Sequence, residues 1–264
     1  MMKGLYADAH IHIGQLPGWR PYAGCPVCAC CLSAAELDAC RKLQAQYPEL
    51  ITIAFGIHPQ QPDTALLPYL ERRAREGSIG CVGEAGFDFY EETDRAAVQA
   101  QTDVWRAQLE IAARFGLPLA VHCRKALDRV FADSRLLAAL PAVIFHAFPG
   151  TPEEARSLHR RGVAAYFSLG RELVLGRKQS LRCAAELEPG WLLAETDAPH
   201  PPAVQRRLGV FSIACVYKRI AELRDMPLGA CAAALAANFT RAFARRSGRV
   251  RRPDNPVSPA LSQE

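Results

Sequence analysis

His10, His12, Glu84, His122, His146 and Asp197 belong to the residue types that bind divalent cations, and each sits at the end of a short apolar run. The runs are LYADAHIH, SIGCVGE, LPLAVH, AVIFH and WLLAETD. Imidazole nitrogens and carboxylate oxygens are the donors that zinc, manganese or magnesium accept in hydrolytic sites. A carboxylate, with two oxygens, can bridge two cations as an imidazole cannot, which singles out Glu84. His10 and His12 are two apart on an extended run, so both side chains leave one face and can grip one ion. His122 and His146 end successive runs and are placed to hold a second ion. Asp197 ends the last run and can ligate the first ion while accepting a proton from water. The chemistry implied is hydrolysis assisted by divalent metal ions.

Donors spread over nearly the whole chain need a scaffold that collects strand ends. Strand-like and helix-like segments alternate throughout. CPVCACCLS (25–33) precedes the helical AAELDACRKLQAQ, and ITIAFGIHP follows. TALLPYLERRAREG reads as a helix before SIGCVGEAGFD. The amphipathic RAAVQAQTDVWRAQLEIAARFG ends at a glycine, as a helix C-terminus should. LPLAVHC, RKALDRVFADSRLLAAL, AVIFHAF, TPEEARSLHRRG with Thr151 as N-cap, VAAYFSLG and WLLAETD complete the series. Two helices, around 210–224 and 228–246, pack outside. Strict alternation implies a parallel sheet with right-handed crossovers, and eight units let it close into an α/β (β/α)8 TIM-like barrel. In that fold the C-terminal strand ends share one mouth, where the chemistry sits. One barrel domain is expected over 1–246, followed by a disordered basic, Pro- and Ser-rich tail over 247–264.

Asp8 shares the face of His10 and His12, and Glu195 that of Asp197. These two and Asp88 are expected to hold the ligand imidazoles through their second nitrogens. Of 264 residues half are apolar, enough for one large core, and a net charge of +5 permits an anionic substrate without requiring one. The opening MMKGLYADAH leaves no room for a signal peptide and no stretch reads as a membrane span, so the expected compartment is the cytoplasm. The ten cysteines lie mostly in apolar runs and are expected as buried thiols rather than disulfides. CPVCACCLS lacks the second hook of a structural zinc site and is read as a barrel strand. Cys123, of opposite parity to His122, points away from the mouth. His159 is expected exposed at a helix end, and His200, near Asp197, is a candidate substrate contact. RAFARRSGRVRR places six arginines between 241 and 252 that could grip a nucleic-acid backbone or be merely solvated.

DAHIH, GIHP, GEAGFD, PLAVHCR, FHAFPG and ETDAP, with a late ANFTRAF, resemble the motifs of the TatD family of metal-dependent hydrolases, from about residue 6 to about 243. The resemblance implies a two-metal phosphodiesterase, typically a deoxyribonuclease of exonuclease type, acting on DNA or another phosphodiester with zinc, manganese or magnesium. It assigns His10, His12 and Asp197 to one ion, His122 and His146 to the other, and Glu84 to the bridge, with Asp197 as catalytic base. It sets His58 and Arg124 against the substrate phosphate. The chain departs from the family pattern at Phe87, at Pro149 and in HPPAVQRRLGVF after ETD-x-P. An amide, lactone or ester hydrolase on the same metals, and a metal-binding protein without catalysis, are the alternatives.

Overall fold

In a computed structural model, which describes residues 6–244, eight parallel strands follow one another in chain order around a sheet. They are β1 (Asp8–Ile11), β2 (Val27–Cys31), β3 (Ile51–Phe55), β4 (Cys81–Asp88), β5 (Leu119–Arg124), β6 (Val143–Phe145), β7 (Ala165–Leu169) and β8 (Leu192–Ala194). Backbone bonds just past β8 close the ring: Asp197 N donates to His10 O at 2.8 Å and His12 N to Ala198 O at 2.8 Å. The closure carries Asp197 to the ends of β1.

Helices cover the outside: α1 (Ala34–Gln46), α2 (Leu67–Arg75), α3 (Glu92–Ala96), α4 (Val98–Phe115), α5 (Leu127–Ala132), α6 (Ser134–Leu137), α7 (Pro152–Arg160), α8 (Arg171–Val174), α9 (Lys178–Glu186), α10 (Pro202–Leu208), α11 (Ile213–Leu223) and α12 (Leu228–Ala242). Ser33 caps α1 by accepting from Glu36 N, and Thr151 with Glu154 forms a reciprocal capping box on α7. The segment expected as one helix up to Gly116 is broken at Ala97 into α3 and α4. Helices α8, α9 and α10 were not anticipated. The first two are short and polar, with few buried positions to print a period on the sequence.

Strand parity divides the core. Cys28, Cys30, Cys81, Ala120, Ala142, Ile144 and Leu193 form the barrel interior, while their neighbours Val27, Val82, Val121, Val143, Phe145 and Leu192 pack outward under the helices. Cysteine and alanine are small enough for the crowded axis, which explains the composition of β2. Every cysteine is free, and Cys123, expected to point away from the mouth, is buried with the outer core and also borders the cleft. No helix among the described residues is long and apolar enough to cross a membrane. The arginines from 245 onward lie outside the described residues.

Candidate metal centre

Glu84 owes its position to a bulge. The register of β4 on β5 passes from Val82↔Leu119 to Ala85↔Val121, so three steps on β4 face two on β5. Gly83 makes the bulge feasible: its φ is +143°, and a Cβ there would lie 2.5 Å from Ala120 O. The carboxylate thus enters the barrel mouth and is almost fully buried.

Its two oxygens face different sets of donors. Oε1 lies 3.4 Å from His10 Nε2 and 3.7 Å from His12 Nε2, and Asp197 Oδ1 lies 3.8 and 3.6 Å from the same nitrogens. Oε2 lies 3.2 Å from His122 Nδ1 and 3.8 Å from both His58 Nε2 and His146 Nε2. These spacings test whether metal ions fit. His10 Nε2 and His12 Nε2 are 3.4 Å apart, close for two imidazoles, and most of the carboxylate contacts exceed hydrogen-bond length. Donors around one tetrahedral ion at about 2.1 Å stand about 3.4 Å from each other. The residues fit divalent cations. His10, His12 and Asp197 form one compact group, and His58, Glu84 and His122 another, the donor atoms of each lying within 4.8 Å of one another.

His58 joins the expected pair at this second group: its ring centroid is 4.4 Å from that of His122 against 6.0 Å for His146, while the Nε2 atoms of His58 and His146 both lie 3.8 Å from Glu84 Oε2. His146 also stacks on His10 at 3.7 Å and groups with His10 and Glu195. His58, expected against a substrate phosphate, stands among the donors. Arg124 stands nearer the surface, stacked 4.1 Å above the exposed Tyr90 ring, with Lys125 also against that ring.

The supporting carboxylates split. Asp88 Oδ2 takes His122 Nε2 at 3.0 Å, and Glu195 Oε1 meets His146 Nδ1 at 3.0 Å, outside ideal hydrogen-bond angles, while accepting from Ala147 N. Asp8 touches neither ring. It accepts from Thr196 N, Thr196 Oγ1 and His10 N, and so ties β8 to β1. The second nitrogens of the first pair go to β2: His10 Nδ1 lies 3.2 Å from Cys30 Sγ, and His12 Nδ1 lies 3.1 Å from Cys30 O.

Charge balance follows from this packing. Burial alone would raise the carboxyl of Glu84, yet His10, His122 and His146 hold it well below the usual range. Burial also opposes the charge on His12, but Asp197 and Glu84 outweigh it and raise the ring to about 9. His58, where burial dominates, falls to about 4 and offers a neutral nitrogen. Asp8, desolvated with only hydrogen bonds to help it, rises to about 7. For Asp88 burial is overcome by His122, Tyr90 N and Arg124, and its carboxyl sits at about 2.

Three supports escaped the sequence reading. Gln101 and Gln108, seven apart on the buried face of α4, each clamp one residue of the site. Gln108 accepts from Ile57 N and donates to Ile57 O beside His58, and Gln101 does the same for Asp88. A buried polar pair at this spacing on an apolar face was the readable signal. The third is Arg171, whose Nη1 donates to Asp197 Oδ2 at 2.9 Å. It follows the end of β7, a strand terminus to which no chemistry had been assigned. His159, expected exposed, is instead half-buried: it stacks on Trp191 at 3.7 Å and bonds Ala165 O, because α7 folds back over β7. His200 packs near Phe211 and is not among the residues lining the cleft.

That cleft, about 840 Å³, opens at the mouth between His12, His58, Arg124, Pro149, Arg171 and Lys178. Its size suits a nucleotide-sized ligand. The family model described as TatD related DNase matches residues 8–244. A 3'-5' ssDNA/RNA exonuclease TatD from Escherichia fergusonii is 32% identical over 79% of this chain and 83% of its own. One of the same description from Erwinia tasmaniensis is 29% identical over 80% and 85%. The crystal structure of YJJV, a TatD homolog from Escherichia coli, superposes with a TM-score of 0.77 at 22% identity, covering 92% of this chain and 99% of that one. With donors, barrel and motifs in agreement, this chain belongs to the TatD family of metal-dependent hydrolases.

Proposed function

We propose that this protein is a metal-dependent nuclease that removes nucleotides from the 3' end of single-stranded DNA or RNA, using two divalent cations held at the barrel mouth. The observation that carries the reading is the division of Glu84, one oxygen toward His10, His12 and Asp197 and the other toward His58, His122 and His146. That the similar TatD proteins of Erwinia tasmaniensis and Escherichia fergusonii are 3'-5' ssDNA/RNA exonucleases supports the polarity and substrate. Mixed nitrogen and oxygen donors suit zinc, manganese or magnesium.

Divalent cations, when bound here, would supply Lewis-acid charge that acidifies water and offsets charge on the phosphoryl oxygens. His10, His12 and Asp197 would hold one and His122, with His58 or His146, the other, with Glu84 between. Asp197 takes the proton that the attacking water must lose, at Oδ1, the oxygen turned toward the histidines. Arg124 meets the phosphate oxygens at the rim, its planar guanidinium matched to two of them. The bond from phosphorus to the departing sugar oxygen then breaks, and that oxygen is protonated from solvent.

Single-stranded DNA, RNA, bis-p-nitrophenyl phosphate and a carboxylic ester, each assayed with Mg, Mn or Zn, test the reading. Diester turnover stopped by EDTA, with stepwise shortening of a 5'-labelled strand, is the expected result. Turnover of the ester alone would overturn it.

A further inference from the structure

Arg171 is the first residue after the Gly170 that ends the β7 run, and it lines the cleft. Gly170 permits the approach: a Cβ there would press to 2.9 Å on Glu195 Cγ and Glu195 O, so only glycine lets the end of β7 lie against the residue two before Asp197. From this point the side chain is held on two sides. Nη1 donates to Asp197 Oδ2 at 2.9 Å, and Nε donates to Glu172 Oε1 at 3.3 Å. Glu172 is itself fixed through Oε2, which accepts from Arg177 Nε at 3.2 Å. A chain of alternating charge therefore runs from the rim of the cleft to the carboxylate in the mouth.

Asp197 needs such a restraint. Its backbone is left-handed, with φ of +55°, and it lies in the loop after β8 rather than within a strand. A free carboxylate can rotate or grip a cation through both oxygens, leaving neither aimed at water. In this structure Oδ2 is occupied by Arg171 and only Oδ1 faces His10 and His12.

We propose that Arg171 is a positioning residue for the reaction: it ties down one oxygen of Asp197 so that the other alone faces the cation group and the attacking water. The assignment rests on the phosphodiesterase reading of the site and adds to it a residue from a strand end to which no part of the chemistry was given.

Steady-state hydrolysis of bis-p-nitrophenyl phosphate and calorimetric titration of Mn²⁺ without substrate test this on R171A, R171K, D197N and the R171A/D197N double variant. Replacing the partner of a ligand typically costs about 10- to 100-fold in metal affinity or activity. R171A is accordingly expected to lower kcat by that factor with KM within about twofold, and to weaken Mn²⁺ binding about tenfold. R171K should recover much of both, because its ammonium can still hold Oδ2. In the D197N background R171A should add no further loss of Mn²⁺ affinity, since its effect passes through Asp197. The proposal is overturned if R171A leaves kcat and Mn²⁺ affinity within twofold of the parent, if it raises KM alone, or if its loss persists in full without the Asp197 carboxylate. A melting temperature within a few degrees of the parent shows that R171A folds; should it not, R171K and R171Q carry the same comparison. A parent enzyme inert on every phosphodiester would end the nuclease reading, while the Mn²⁺ titrations would still decide the role of Arg171.

Discussion

The two ends of the barrel are built from the same eight strands and are opposites in chemistry. At the C-terminal end, five imidazoles and several carboxylates crowd together at spacings mostly too long for hydrogen bonds and right for ligands of shared cations. At the other end Phe239 and Ala242 of α12, with Phe243 just after it, share one buried cluster with Ala7, Cys28 and Cys81, and polar groups there are paired. Asn238 Nδ2 donates to Pro189 O and Leu192 O, both at 2.7 Å, and Tyr217 Oη both donates to Ala7 O and accepts from Ala7 N. One end closes its polar groups among themselves; the other leaves them poised for something added. Function and stability should therefore separate along the barrel axis.

The largest effect is expected at the mouth. Asp197→Ala or Glu84→Ala should lower kcat on a phosphodiester by at least about 10³-fold, the scale of losing a cation's or base's help in the transition state. Retention of activity within tenfold would break the assignment. Next comes the metal itself: a cation at 100 times its dissociation constant should stabilise the fold by about 2.7 kcal/mol. Scanning calorimetry with and without EDTA should show this rise in melting temperature, and Glu84→Ala should lose most of it. At the opposite end, Asn238→Ala removes the two bonds its amide donates and the one it accepts from Arg241, and takes the side-chain donor from Leu192 O while Pro189 O keeps Leu192 N, for about 1–3 kcal/mol by urea unfolding. Turnover per folded molecule should stay within twofold; a large fall would mean that the two ends are coupled. Tyr217→Phe keeps the packing but takes the hydroxyl from both Ala7 N and Ala7 O, and should cost about 1–3 kcal/mol with unchanged kcat.

Much of the fold was legible because its signals are local. Alternating runs, the N-cap of α7 and the donors at strand ends are consequences of period and position, so the barrel and its mouth followed directly. Helices α8 and α9 were missed because they are short and polar, and with them Arg171. His159 was misplaced for a related reason: its partner Trp191 is far along the chain.

The amino-acid sequence by itself determined which residues could bind cations and that a parallel barrel would gather them, since residue type and strand periodicity are written along the chain. Only the tertiary structure decided how they group: that His58 joins His122, that His146 stacks on His10, that Asp8 ties β1 to Thr196 rather than to a ring, and that Arg171 holds Asp197. Those outcomes depend on bulges, strand stagger and loop closure at the level of about an ångström, and such distances arise only when the ring of strands shuts.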